Sequence, residues 1–206
     1  MSMKNITKQA INRLFVWGLI VAFAVVLPPR MHSQNTLSNS DLELFKKQAH
    51  LKVRSFEHCI RQIMTDVSNR QAFIERGLSL FKPNATIEIA GKQSGTRTIS
   101  VASYLSSTVP SYVATKKIVV INFIAVQIGA WSSKKNSNGK VYYEAPITFS
   151  QRFCWRKKSV NYDVSDFDYC DLTVKDSTVV LEEKVGVKGN YWQLLLGNIE
   201  VESITD

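Results

Sequence analysis

The rhythm of apolar and polar positions changes along this chain, and each change marks an element. From Leu42 onward, apolar or small residues recur at Leu42, Phe45, Ala49, Val53, Phe56, Ile60, Ile63 and Val67. Steps of three and four keep them on one stripe of a long amphipathic helix. Lys46, Lys47, Lys52, Arg54 and Arg61 occupy the opposite face. Ser40 and Glu43 have the spacing of a capping box, in which hydroxyl and carboxylate satisfy free amides, so the helix is predicted to start there. Ser68 to Gln71 repeats that spacing. Phe73, Ile74, Gly77, Leu78 and Phe81 then suit a shorter helix ending at Lys82-Pro83-Asn84.

Ala85 to Ala90 reads as a strand with Ile87 and Ile89 on one face. A glycine-flanked loop, Gly91 to Gly95, leads to a small helix in which Val101, Tyr104 and Leu105 share a face before Pro110 closes it. Beyond Lys117 the period falls to two. Ile118 to Trp131 is apolar on both faces, as a covered central strand would be. Asn138-Gly139 is a turn signal. Val141, Tyr143, Ala145, Ile147, Phe149, Phe153 and Trp155 alternate with Glu144, Thr148, Ser150, Arg152 and Arg156, giving one core face and one wet face. Cys170 to Val185 is further strand, with an interruption expected at Lys175-Asp176-Ser177. The last strand, Tyr191 to Ile204, holds Gly197-Asn198 as a bulge. Helices first and strands afterwards argue for an α+β fold, its N-terminal helices packed in the concavity of a curved antiparallel sheet.

Ahead of these elements, Lys4, Lys8 and Arg13 precede an unbroken apolar run from Leu14 to Leu27, and Pro28-Pro29 closes it. Charged, apolar and polar parts in that order make a secretory signal, and 14 residues fall short of the roughly 20 that a spanning helix needs. The chain therefore divides into a signal peptide at 1–34, a linker at 35–40 and one domain at 41–206, with periplasmic or secreted localisation after cleavage. The alternative is an uncleaved inner-membrane anchor holding the domain outside the cytoplasm. A length of 206 residues with 45% hydrophobic and 21% charged residues excludes a disordered chain and allows a core without staples. The net charge of +9 invites a nucleic-acid reading, but four of the 26 basic residues and no acid lie in the first 34 positions. No nucleic-acid partner is expected of the rest.

The order of elements resembles the nuclear transport factor 2-like superfamily, also called cystatin-like or SnoaL-like, in an exported bacterial member. Leu80 to Glu88 is similar to that family's passage from second helix to first strand, Ile99 to Val109 to its third helix, and Tyr191 to Ile204 to its last strand. The resemblance implies a cone with an apolar pocket between sheet and helices, and frequent dimers through the outer face of the sheet. It implies no single function, since members include isomerases, dehydratases and non-catalytic binding domains.

Enzymes of this fold put an acid or histidine base inside the cone. His50 and His58 share the first helix, where His58 borders the apolar stripe, while Glu88 and Glu144 fall on solvated faces by the strand count. Asp163, Asp166, Asp168 and Asp171 crowd one loop without the spacing of a calcium site. No cysteine and histidine spacing suggests zinc, and no phosphate or dinucleotide fingerprint is present, so neither metal nor cofactor is expected. Cys154 and Cys170 are equidistant from Tyr162 and would face each other in a hairpin, a candidate disulfide outside the cytoplasm. Candidate pocket residues are Phe56, Tyr104, Tyr143, Phe149, Phe153, Trp155 and Trp192, which plain core packing would explain equally. These features favour an exported, non-catalytic module binding an apolar small molecule or a protein partner. The alternatives are a pocket enzyme of isomerase or dehydratase type and a single-pass VirB8-like component of a secretion apparatus.

Overall fold

A computed structural model of the chain describes residues 36–91, 95–114, 117–157 and 167–205. The signal peptide reading and the placement of Asp163 and Asp166 lie outside the described residues. Helix α1 (Asn39–Thr65) buries Ala49, Val53, Phe56, Ile60 and Ile63, the stripe the spacing predicts. Its cap sits earlier than Ser40. The Ser38 hydroxyl accepts from the Asp41 amide at 3.2 Å, and the Asp41 carboxylate accepts from the Ser38 amide at 3.1 Å. Aspartate thus takes the reciprocal role expected of Glu43. The helix stops at Thr65, which leaves Val67 off the stripe and 69% exposed. Helix α2 (Arg70–Leu78) follows Asn69, whose side chain donates to Asp66 rather than capping the helix. It ends before Phe81, because Leu80 and Lys82 exchange backbone hydrogen bonds with Leu196.

The strands are β1 (Thr86–Gly91), β2 (Gly95–Ser100), β3 (Lys117–Ile128), β4 (Ser132–Lys135), β5 (Val141–Lys157), β6 (Tyr169–Gly186) and β7 (Gly189–Thr205). They form one curved sheet in the order β2-β1-β7-β6-β5-β3, with β4 also paired to β5. The sheet is not wholly antiparallel, because β1 meets β7 in parallel at Ile87 and Ile199. Strand β2 was unexpected at a stretch read as loop and helix; its weak polarity pattern reflects four consecutive exposed residues, held by the β1 ladder. Strand β3 is an edge rather than a central strand. Its inner Ile121 and Phe123 are buried, while Ile118 and Ile124 on the other face are 38% and 42% exposed. Strand β6 runs through Lys175-Asp176-Ser177 without a break.

Gly197-Asn198 is a bulge. Leu196 pairs with Val179 and Ile199 with Ser177, so two residues of β7 oppose Thr178. A Cβ at position 197 would lie 2.3 Å from the Thr178 hydroxyl oxygen, and Asn198 accepts from the Thr86 amide at 3.1 Å. Gly197→Ala should therefore cost about 1–3 kcal/mol through overpacking, read as a lowered urea midpoint. An unchanged midpoint would mean that the two strands separate freely here.

Helix α1 lies in the concavity and is tied to the sheet on both flanks. Lys52 donates to the Leu194 carbonyl of β7, and Arg54 donates to the Phe123 carbonyl of β3. These two cations, read as solvated, instead satisfy strand carbonyls at either side. Between β2 and β3 come α3 (Val101–Ser103), a π-helical turn (Tyr104–Thr108) and α4 (Val109–Ala114). Pro110 does not end this segment. The wider turn, in which the Val109 amide reaches the Tyr104 carbonyl, restarts the helix so that the proline falls in a first turn needing no amide there.

Candidate functional site

A cavity of about 630 Å³ opens between the β1–β2 hairpin, the π turn with α4, and the inner faces of β5 and β6. Its apolar wall is Ile87, Ile89 and Phe153; its polar wall carries Tyr104, Tyr112, Gln151, Tyr169, Asp171, Thr173 and Lys175, with Arg97 at the exposed rim. The polar wall comes from an inversion of strand chemistry. On β6, Asp171, Thr173 and Lys175 face inward and are 7%, 4% and 3% exposed, while Leu172 and Val174 take the alternate face. Farther along the same strand Val179 and Leu181 restore an apolar interior.

Lys175, Tyr169, Asp171 and Tyr112 are held by neighbours. The Lys175 ammonium donates to the Glu88 carbonyl at 2.6 Å, and the Tyr169 hydroxyl donates to the Asp171 carboxylate at 3.0 Å. Tyr112 packs edge-on against Phe153, with ring centroids 5.2 Å apart. Tyr104, presented by the π turn, is 2% exposed. Burial lowers the Lys175 amine to about 8, with the Glu88 and Asp171 carboxylates opposing the shift. Burial holds the Tyr104 phenol well above its ordinary value, and raises Tyr112 as well, partly offset by Arg97. The cavity thus brings together a weakened base, a carboxylate and phenols that keep their protons at neutral pH. Such a set can orient and protonate an oxygen of a bound organic molecule.

Of the aromatic candidates, Tyr104 and Phe153 line this space. Phe56 and Phe149 are core residues, packed on Phe81 and Phe123 respectively. Tyr143 and Trp192 pack edge-on, with centroids 5.5 Å apart, toward the start of β5, where the Tyr143 hydroxyl accepts from the Leu37 amide. Trp155 lies against Tyr169 beside the cavity. Glu88 is not simply solvated; its carboxylate accepts from the Val201 amide at 2.9 Å. Glu144 pairs with Lys134 at 3.0 Å. His58 packs against Phe73, and His50 lies near Val126 and Ile128; neither lines the cavity. The aspartate cluster divides, with Asp168 accepting from the Lys157 amide and Asp171 entering the cavity. Cys154 and Cys170 are cross-strand partners joined by a disulfide, and Cys59 is a buried free thiol. No metal-binding group of acidic, histidine or cysteine side chains occurs among the described residues.

The long helix in the concavity, the short second helix, β1, the small helical segment and the long antiparallel strands follow in the order the resemblance implies, with β2 as an addition to it. Helices followed by one curved sheet make this an α+β fold, consistent with the cone that the resemblance implies. No family model matches the sequence, and no curated protein is significantly similar to it. Among solved structures, a scytalone dehydratase-like protein from Novosphingobium aromaticivorans is 10% identical over 81% of this chain and 91% of its own, with a TM-score of 0.41. ActVI-ORFA from Streptomyces coelicolor is 11% identical over 75% and 98%, with a TM-score of 0.30. The cavity differs from the expected apolar pocket in its polar half.

Proposed function

We propose that the chain is an exported small-molecule pocket protein that performs proton-transfer chemistry, of isomerase or dehydratase type, on an organic carbonyl compound. The single observation behind this reading is Lys175, a side chain only 3% exposed on the wall of a ligand-sized cavity with Asp171 and Tyr104. A buried lysine and a buried carboxylate each cost desolvation free energy that apolar residues would not, which supports a role for them beyond packing. The same observation favours an enzyme over a non-catalytic module. The ligand body would rest on Ile87, Ile89 and Phe153, with its carbonyl oxygen toward the phenols.

The test is exchange of α-protons of small aryl ketones in deuterium oxide, followed by NMR. The protein should accelerate exchange, and Tyr104→Phe should lower the rate by about 10²–10³-fold if its hydroxyl stabilises the developing oxyanion. Absence of exchange and of thermal stabilisation across ketones, aldehydes and carboxylates would overturn the reading. Export is a separate expectation, resting on the charged and apolar order of residues 1–34. Mass spectrometry of the mature chain should find a new amino terminus near Asn35, whereas an intact Met1 or Ser2 end would overturn cleavage. No helix among the described residues is long and apolar enough to cross a membrane.

A further inference from the structure

Lys175 shares with Lys52 a backbone-carbonyl anchor in place of a carboxylate, and of the two Lys175 lines the cavity. Lys134, Lys140 and Lys184 each contact a glutamate carboxylate, but Lys175 forms no ion pair among the described residues and is held by the Glu88 carbonyl. A carbonyl accepts from an ammonium and, more weakly, from a neutral amine. In the neutral form the nitrogen keeps that hydrogen bond and has a lone pair to direct into the cavity. Groups facing it are Glu88 from β1, Asp171 and Thr173 from β6, Tyr104 and Tyr112 from the helical segment, and Gln151 from β5, with Arg97 at the rim.

Resting on the carbonyl-compound reading above, we propose that Lys175 is a nucleophile that binds aldehydes or ketones covalently as an imine. The Nζ lone pair attacks the carbonyl carbon, a C–N bond forms, and the carbonyl π pair moves to oxygen. That oxygen takes one proton from a cavity phenol, and the nitrogen gives one up to the Asp171 carboxylate. The C–O bond of the resulting carbinolamine then breaks as Asp171 returns its proton to the departing hydroxyl, which leaves as water, and the remaining N–H proton passes to the phenolate, giving the neutral imine and restoring both groups; hydrolysis reverses each step. No oxidant or reductant enters, and the sum is amine plus carbonyl to imine plus water. Tyr104 and Tyr112 remain protonated at neutral pH and so can act as the acid.

Burial of the amine supplies the reactive form. With Lys175 at about 8, roughly a tenth is neutral at pH 7, about 300-fold more than for an ordinary lysine. A less basic amine is also less nucleophilic; taking a Brønsted slope near that of thiols, about 0.4–0.5, the net advantage is roughly twentyfold.

The probe is 3-phenylpropanal with cyanoborohydride, which reduces the imine to a stable secondary amine, followed by peptide mass mapping of the whole protein. Lys175 should be labelled roughly twentyfold faster than exposed lysines at pH 7, with the rate levelling near pH 8 while surface labelling continues to climb. 3-Phenylpropanoate has a similar shape and forms no imine, so its thermal shift reads the cavity alone, and it should protect Lys175. Lys175→Arg should lose the selective label; wild-type mapping keeps the proposal testable if that variant does not fold. Binding of 3-phenylpropanoate with Lys175 labelled no faster than surface lysines would overturn the imine and leave the pocket reading standing. Failure of both labelling and binding would overturn both.

Discussion

Phe56→Ala should lower stability by about 3–5 kcal/mol, the range for emptying a well-packed aromatic site. Phe56 is 1% exposed at the centre of the α1 stripe. Its ring meets Phe81 at 4.8 Å, Phe123 at 5.7 Å and Tyr104 at 6.4 Å, joining the α2–β1 connection, the edge strand β3 and the π turn. No other side chain need move far to keep these three parts apart, so the site collapses poorly and the cavity term adds to the transfer term. The urea midpoint should fall with little change in slope. Because Tyr104 loses the ring on which it packs, affinity for cavity ligands should fall with it. A loss under about 1 kcal/mol would mean that the sheet does not enclose the helix, against the burial of the whole stripe.

The stripe was legible because a helix buried along one side leaves a period that no other constraint on those positions imitates. The sharp corrections fall where a second constraint overrides the pattern. Strand β3 reads as central because its outer face is apolar, yet Ile118 and Ile124 are exposed, and an edge position cannot be told from hydropathy. Pro110 reads as a helix end because the π turn that accommodates it has no signature in composition. The site was the least legible part. Asp171 reads as part of a loop and Lys175 as a strand break, and nothing marks Thr173, since polar residues on a strand ordinarily face water. Their period of two, continuous with Val179 and Leu181, was the available signal: one face carried both sets, so a strand buried on that face had to bury the polar set too. A local failure of polarity that keeps strand period is what a lined cavity produces.

Lys175→Met should raise stability by about 2 kcal/mol at pH 7 while abolishing amine-dependent chemistry. The amine falls from 10.5 in the unfolded chain to about 8 in the fold, so between those values the unfolded chain holds a proton that the folded chain lacks. Stability therefore rises with pH through that window, and below it the full penalty of holding a buried ammonium is present, about 3 kcal/mol. Methionine removes the penalty and fills similar volume, but it leaves the Glu88 carbonyl without its donor, a loss of about 1 kcal/mol. The phenols act in the opposite direction at higher pH: Tyr104 and Tyr112 keep protons that the unfolded chain releases above about 10, so stability then declines. The rise is thus readable between pH 8 and 10, and Lys52, also lowered by burial, adds a smaller slope of the same sign to both proteins. Denaturant midpoints of wild type and variant across that range separate the two contributions. Convergence of the curves as pH approaches 10, with the variant ahead at pH 7, is the expected outcome; a variant less stable at pH 7, or one with an unchanged slope, would mean that the amine is solvated. An apolar residue would spare the fold the desolvation of the amine, and that cost is what supports the cavity role proposed for Lys175.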